Sequence, residues 1–377
     1  MENKKILIVP MSAIAETSGP VTRCIRLTHI FKEAGCEVAT CMAEDINFRP
    51  IAGVTNYFLD IPMPLGLPGF IATRTFPLAQ KLGITSRKEV RSFDEVLRIT
   101  GNLDYRYLNK SVEGIRTAMK DFKPDIVYSE FNISAIIAAK AEGVTLYTTV
   151  SFPTRYDYAH NDKLAGGLNR LLSELRLPEA ASALKLFEWA DKRYCMSIKE
   201  LEPFGEDVEF CGAMRRVDRR ECRRNKILVY MGNGTVPAKK MRSEVIRAFE
   251  GSPYEVYIAS SYLKEETRGN IHIAPRWDFN EYLEEAVLFI NHGGQNSIVD
   301  GLLHGVPQLI VPGKVFERRF NAGSVVKNNA GIMLPHKEWN AVKIRQKAEL
   351  LIGSDEMRKN AEELGTKLMS AGGPHID

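Results

Sequence analysis

The sequence predicts an α/β fold built from two doubly wound domains that face a central cleft. Three observations support this prediction: a length of 377 residues, an alternation of short apolar runs with longer helical patterns, and the return of that alternation after residue 226. At about 150 residues per domain, the length fits two domains better than one. Strands that alternate with helices favour parallel sheets with helices on both faces.

The two βα series can be placed element by element. In the first series, the predicted elements are strands at 5–10, 37–41, 125–129 and 144–150 and helices at 22–34 and 134–141. In the second series, the predicted strands are 227–230, 255–259, 271–274, 287–291 and 308–311. We therefore expect domains at 1–210 and 211–355, followed by a closing helical segment at 356–377. Each domain is Rossmann-like.

Composition excludes several functional classes. Hydrophobic residues make up 44% and charged residues 26% of the chain, and the net charge of +4 is not concentrated in a basic block, so we expect no nucleic-acid partner. The six cysteines form no C-x-x-C pair and have no neighbouring histidine, which indicates reduced thiols and no metal site. The apolar runs are too short for a signal peptide or a spanning helix. The expected location is the cytoplasm, with at most peripheral membrane contact.

Residues 61–85 are rich in proline and glycine among apolar side chains. Regular structure is not expected there. Two interpretations remain open: an irregular surface connection, or an apolar flap over an acceptor pocket.

The most informative stretch runs from residue 289 to 322. A predicted strand ends at Asn291, Gly293 and Gly294 allow close approach of the backbone, and a helix begins near Asn296. A helix N-terminus with free N–H groups suits an anion such as a diphosphate. Asn296 and the following Ser297 can cap the helix or bind phosphate oxygens.

This stretch resembles the donor-binding signature of GT-B glycosyltransferases, in particular the family 1 UDP-glycosyltransferases and their bacterial relatives. The matching residues are His292, Gly294, Asn296, Ser297, Asp300, Gly305-Val306-Pro307, Pro312, Glu317 and Asn321-Ala322. The resemblance implies a GT-B architecture in which the first domain binds the acceptor and the second binds a nucleotide sugar. It also implies that the closing helix crosses back to the first domain.

The resemblance assigns roles within the donor site. His292, Asn296 and Ser297 would hold the diphosphate, beside the two glycines at 293 and 294. Asp300 would bind the ribose hydroxyls, although the family usually has the longer Glu there. Glu317 would bind the sugar hydroxyls.

Three further features belong to the expected donor site. Arg318 replaces the usual Gln, which favours a sugar carrying a carboxylate, unless the guanidinium pairs with Glu317 or another acid. Trp277, or its neighbour Arg276, would flank the base, although a core Trp is the alternative. A second glycine turn, which also suits an ordinary tight βα turn, consists of Gly232, Asn233, Gly234 and Thr235.

The expected catalytic base departs from the family. Relatives carry a histidine after the first strand, and Pro20 occupies that position here. A later strand ends in Glu130, where relatives have the carboxylate that orients the histidine. Glu130 is the first candidate base and Glu16 the second. The alternatives are that Glu130 caps the next helix and that Glu16 is a solvated loop residue.

The sequence therefore predicts an inverting, metal-independent glycosyltransferase with no cofactor. The donor would be a UDP-sugar, with TDP as the second choice, and the acceptor would be a hydroxyl of a small or lipid-linked molecule. A homodimer is compatible with the sequence. The alternatives are a nucleotide-sugar epimerase and a catalytically silent GT-B partner protein.

Overall fold

The structure is a computed structural model that describes residues 4–13, 19–44, 50–64, 89–205, 207–232 and 235–375. Three residues named above, Glu16, Asn233 and Gly234, lie outside these ranges. Most of the 61–85 segment, and with it the flap hypothesis, lies outside them too.

In the described part of the chain, the first sheet has seven strands, all parallel, in the spatial order β3-β2-β1-β4-β5-β6-β7. The strands are β1 Lys5–Pro10, β2 Glu37–Ala43, β3 Thr55–Leu59, β4 Ile126–Glu130, β5 Thr145–Val150, β6 Lys192–Cys195 and β7 Glu209–Phe210. Because β1 lies between β2 and β4, the chain reverses its winding direction there. Ligands bind at such a switch point in open parallel sheets.

The second sheet also has seven described strands, in the order β10-β11-β9-β8-β12-β13-β14. The strands are β8 Lys226–Tyr230, β9 Glu255–Ala259, β10 Glu266–Arg268, β11 Ile271–Ala274, β12 Ala286–Asn291, β13 Gln308–Ile310 and β14 Gly331–Met333. All pairs are parallel except the edge hairpin of β10 and β11. In this second sheet, the winding direction of the chain reverses between β8 and β12.

Helices connect the strands. The described α-helices are α1 Gly19–Glu33, α2 Phe93–Thr100, α3 Tyr105–Phe122, α4 Ile133–Glu142, α5 Gly166–Glu174, α6 Ala238–Phe249, α7 Phe279–Glu284, α8 Gln295–Leu303, α9 Phe316–Lys327, α10 Ala341–Ile352 and α11 Asp355–Ser370. Side-chain oxygens cap several of them, such as Asp104 before α3 and Asn132 before α4.

Burial on both faces of each sheet confirms the doubly wound α/β fold. In β1, Leu7 and Val9 belong to one apolar core, whereas Ile6 and Ile8 belong to another on the opposite face. Successive strand residues point to opposite faces, so helices cover both sides.

The half of the chain that contains the first sheet contacts the half that contains the second sheet at several points. The rings of Phe152 and Phe320 stack with centroids 5.2 Å apart, and Ser324 Oγ donates to the Leu201 carbonyl at 2.5 Å. Phe316, the first residue of α9, is buried in a core of the first sheet. Contacts of this kind position the cleft between the sheets.

The C-terminal helix α11 packs on α8 of the second half. Its last turn contacts the segment just after β7, where Ala213 N donates to the Leu368 carbonyl at 2.9 Å. The residues after α11 continue this contact, because Tyr194 Oη donates to the His375 carbonyl at 2.6 Å.

Candidate active site

The turn after β12 is fixed by buried amides. Asn291 accepts a hydrogen bond from Gly293 N at 2.9 Å and donates its own amide to Gln308 Oε1 at 2.7 Å. Asn321 of α9 donates to the Gly293 carbonyl at 2.9 Å. Gly293 has a φ of 81°, which L side chains rarely adopt. The turn is therefore held from β13 and α9.

His292 lies between two glycines that leave room for its ring. A Cβ at Gly294 would be 2.7 Å from His292 Nε2, and one at Gly232 would be 3.0 Å from Cε1. Burial, with the positive charge of Arg318, lowers the pKa of His292 to about 3. The imidazole is therefore neutral and has a single N–H group, which donates to the Tyr230 carbonyl here and would have to leave it to bind a phosphate oxygen.

The N-terminus of α8 has no side-chain cap, because the N-cap residue is Gly294. Asn296 is exposed in the first turn, whereas Ser297 is buried. The start of α1 lies close by, since a Cβ at Gly19 would be 3.8 Å from Asn296 Nδ2. Two helix N-termini from opposite halves therefore approach each other, which favours an anion between them.

Asp300 is engaged in an ion pair. Its carboxylate accepts from the Arg215 guanidinium, and Arg26 of α1 adds a second positive charge. Burial raises the pKa of Asp300, while both arginines oppose that change. Arg215 would have to share the carboxylate with the ribose that the resemblance places there.

The side chains of Glu317 and Arg318 have different neighbours. Arg318 Nη1 donates to Thr235 Oγ1 at 2.9 Å, just after β8, and the charge of Glu317 acts on the guanidinium. Burial raises the pKa of Glu317, against the positive charges of Arg318 and Arg23. Arg318 thus lies beside His292 and Thr235, whereas Glu317 lines the cleft.

Trp277 packs in an aromatic cluster at the second sheet. Its indole Nε1 donates to the Ile258 carbonyl at 3.1 Å, and its ring lies 5.2 Å from Tyr257 and 5.0 Å from Tyr282. Trp277 is half-buried against this cluster and is not part of the fully buried core, and stacking on a base stays a prediction.

Glu130, the first candidate base, is completely buried and held by two donors. The Arg23 guanidinium pairs with one carboxylate oxygen, and the Thr149 hydroxyl donates to the other. Arg23 and Thr149 line the cleft, and Glu130 lies behind them. Nor does its side chain cap α4, whose cap is Asn132. The geometry therefore favours a positioning role for Glu130 over the expected role as a base.

A cleft lies between the two halves. Residues of both halves line it, including Arg23, Thr149, Glu202, Asn296, Asp300 and Glu317. In the described residues, no three His, Cys, Asp or Glu side chains lie close enough to share a metal ion. Among the helices that the structure covers, none is long and apolar enough to cross a membrane.

Comparisons with known proteins agree with this architecture. The model of the family "Erythromycin biosynthesis protein CIII-like, C-terminal domain" matches residues 255–375. The NDP-glycosyltransferase YjiC of Bacillus subtilis is 22% identical over 286 residues, which cover 67% of this chain and 71% of YjiC. The calicheamicin glycosyltransferase CalG4 superposes with a TM-score of 0.73 at 16% identity, covering 99% of this chain and 96% of CalG4. The protein is a GT-B glycosyltransferase that resembles family 1.

A second structural neighbour has the same fold. The spinosyn rhamnosyltransferase SpnG, solved with thymidine diphosphate, superposes with a TM-score of 0.68 at 16% identity, covering 98% of this chain and 97% of SpnG. At such low identity, the likeness shows the shared GT-B fold.

The structure places the expected donor residues of this GT-B glycosyltransferase in two neighbouring groups. Asn296, Asp300 and Glu317 line the cleft. His292 and Arg318 form the other group, together with Gly232 and Thr235 at the end of β8. Both groups surround the start of α8.

Sequence reasoning missed one acidic residue of the cleft. Glu202 is 2% exposed and follows β6 in a short segment without a recognisable motif. Phe152 N donates to its Oε2 at 2.6 Å, and Gln295 Nε2 of α8 donates to its Oε1 at 3.2 Å. Burial raises the pKa of Glu202 to about 7. Only folding brings this carboxylate to the cleft, so no local signal could have identified it.

Proposed function

We propose that this glycosyltransferase transfers a sugar from a nucleoside diphosphate sugar to a hydroxyl acceptor in one inverting displacement. The observation that carries the proposal is the uncapped N-terminus of α8, with His292 behind it and the start of α1 opposite it. Three features that favour a diphosphate therefore meet at one point between the two halves.

The protein itself can stabilise the leaving diphosphate. The α8 dipole and the Arg318 guanidinium supply positive charge, and neutral His292 supplies a hydrogen-bond donor. Because these groups are fixed before the reaction, they need little reorganisation as charge develops. The proposed reaction accordingly uses no metal ion and no cofactor, and the nucleotide sugar is a substrate.

The proposed nucleotide is uridine or thymidine diphosphate. The family 1 resemblance supports UDP. The thymidine diphosphate complex of SpnG and the similarity to the TDP-daunosamine transferase DnrS of Streptomyces peucetius, 27% identical over 108 residues, support TDP.

A cleft lined from both halves would serve the proposed inverting displacement. If the second half holds the diphosphate, an acceptor bound to the first half approaches the anomeric carbon from the opposite face. Holding both substrates in line makes the displacement effectively unimolecular.

Calorimetry with TDP and UDP, followed by turnover assays with TDP-glucose and UDP-glucose, tests this proposal. We expect one diphosphate to bind and its sugar to be transferred to an alcohol or to water. Binding without turnover would indicate the silent binding protein, and isomerisation of the donor alone would indicate an epimerase. Failure of both diphosphates to bind would refute the proposed donor site.

A further inference from the structure

The proposed reaction lacks an assigned proton acceptor. Pro20 occupies the position of the usual histidine, and Glu130 lies behind Arg23 and Thr149. An alcohol must lose its proton as the new bond forms, and general-base assistance typically accelerates such a step by about 10²–10⁴-fold. The base should come from the acceptor half, line the cleft and lie close to the diphosphate site.

Glu202 meets these three conditions. It follows β6 of the first half and lines the cleft. Its Oε1 accepts from Gln295, the first residue of α8, so the carboxylate lies next to the helix start that receives the diphosphate. Phe152 N, just after β5, fixes the other oxygen at 2.6 Å. The carboxylate is therefore oriented from both halves.

The charges around Glu202 suit proton transfer. Neutral groups donate to it: the Phe152 N–H, the Gln295 amide and the Cys195 thiol. The charged group that acts on it is the carboxylate of Glu317, and no basic side chain of the described chain pairs with it. The nearest contrast is Glu130, whose partner is the Arg23 guanidinium.

We propose that Glu202 is the general base that deprotonates a hydroxyl acceptor, an assignment that rests on the proposed function. The acceptor O–H proton moves to a Glu202 oxygen while the acceptor oxygen bonds to the anomeric carbon. The bond from that carbon to the β-phosphate oxygen breaks, and its electron pair leaves with the nucleoside diphosphate. Glu202 then releases the proton to solvent.

Burial raises the pKa of Glu202 to about 7, with repulsion from Glu317 in the same direction. A base with a pKa near the working pH combines a large ionised fraction with useful basicity. Transfer to an alcohol should therefore increase as pH rises through 7 and then level off. Cys195 and Glu317 are the other titratable groups that contact or face this carboxylate, and both stay in place when Glu202 is changed.

Acceptors of different acidity separate base catalysis from a structural role. With TDP-glucose or UDP-glucose as donor, E202Q should transfer to benzyl alcohol at least about a hundredfold more slowly than wild type. Transfer to 4-nitrophenol, which ionises without help near neutral pH, should change only a few-fold. The variant should bind TDP or UDP as wild type does and lose the pH dependence near 7. The matched control is E200Q, because Glu200 pairs with Lys367 at the surface.

Four outcomes would overturn the assignment: alcohol transfer by E202Q within about threefold of wild type, equal losses with both acceptors, an unchanged pH profile, or a wild-type enzyme that accepts only the phenol. The last outcome would mean that the acceptor needs no base. Failure of wild type to bind either diphosphate would refute the proposed function and this assignment with it. Intact diphosphate binding with normal alcohol transfer in E202Q would refute the assignment alone.

Discussion

Arg23 of α1 forms an ion pair with Glu130 at the end of β4, across 107 residues of sequence. Glu130 is fully buried, and the Arg23 side chain is only 13% exposed and stacks 5.4 Å from the Phe131 ring. In the family that the chain resembles, the carboxylate at this position orients a histidine. Here it orients a guanidinium that lines the cleft from the first half.

Removal of one member of this pair should destabilise the protein. A buried charge left without its partner costs about 3–5 kcal/mol, so E130L and R23M should each lower the melting temperature by several degrees. The double variant R23M/E130L should recover much of the loss, because no charge is left unpaired. Thermal denaturation of the four proteins measures the coupling. Additive losses in the double variant would show that the two residues do not act as a pair.

The space around His292 can be tested with alanine at Gly294. This residue has φ −66° and ψ 142°, which alanine adopts easily, but its Cβ would lie 2.7 Å from His292 Nε2. G294A should therefore displace the imidazole and weaken TDP or UDP binding, by about 2–10-fold if one neutral hydrogen bond is lost. H292A should show a similar loss by calorimetry.

The matched control for that change is G323A. Gly323 lies inside α9, where a Cβ meets nothing within 4 Å. Alanine there should stabilise the helix by about 0.5–1 kcal/mol and leave diphosphate affinity unchanged. Equal affinity in G294A and G323A would contradict the proposed position of the diphosphate.

Periodicity predicted the fold well where strands are long and apolar. The strands at 5–10 and 227–230 are buried runs of Ile, Leu and Val, so their pattern is local. β6 and β7 were missed because one begins Lys-Arg and the other has two residues. Such short or polar strands form only when a neighbouring strand supplies the hydrogen-bond partners.

The turn after β12 was predictable because its glycines and polar residues lie in one stretch of sequence. Its supports were not, since Asn291 reaches Gln308 on the next strand and Asn321 reaches back from α9. The same limit applies to the buried carboxylates Glu202 and Glu130. The burial of Glu202 and the pairing of Glu130 depend on residues far away in sequence. The sequence therefore identified Glu130 as a candidate carboxylate but could not show that Arg23 pairs with it.

Arg318 should act on the diphosphate more than on the sugar. Its guanidinium contacts Thr235 and lowers the pKa of nearby His292, so it lies in the same group of residues. R318Q should weaken TDP or UDP binding about 10–100-fold, the effect of one charge-assisted hydrogen bond. The ratio of transfer from UDP-glucuronate and UDP-glucose should stay the same. A changed ratio with intact diphosphate affinity would instead support recognition of a sugar carboxylate. R319Q, at the exposed neighbouring residue, is the control.

Glu202 should also make stability depend on pH, whatever the acceptor is. Its pKa rises from an ordinary value of 4.5 to about 7 in the folded protein, so between these values the folded state keeps a proton that the unfolded chain has lost. Ionised Glu202 therefore lowers stability as pH rises through this window, and the full penalty, on the order of 3 kcal/mol, is present above pH 7. E202Q cannot ionise and should escape this loss. The melting temperature of E202Q relative to wild type should accordingly increase by several degrees between about pH 5 and pH 8. Parallel profiles of melting temperature against pH for the two proteins would show that Glu202 is already ionised at pH 5. That result would contradict a pKa near 7 and the proposed role as a base near neutral pH.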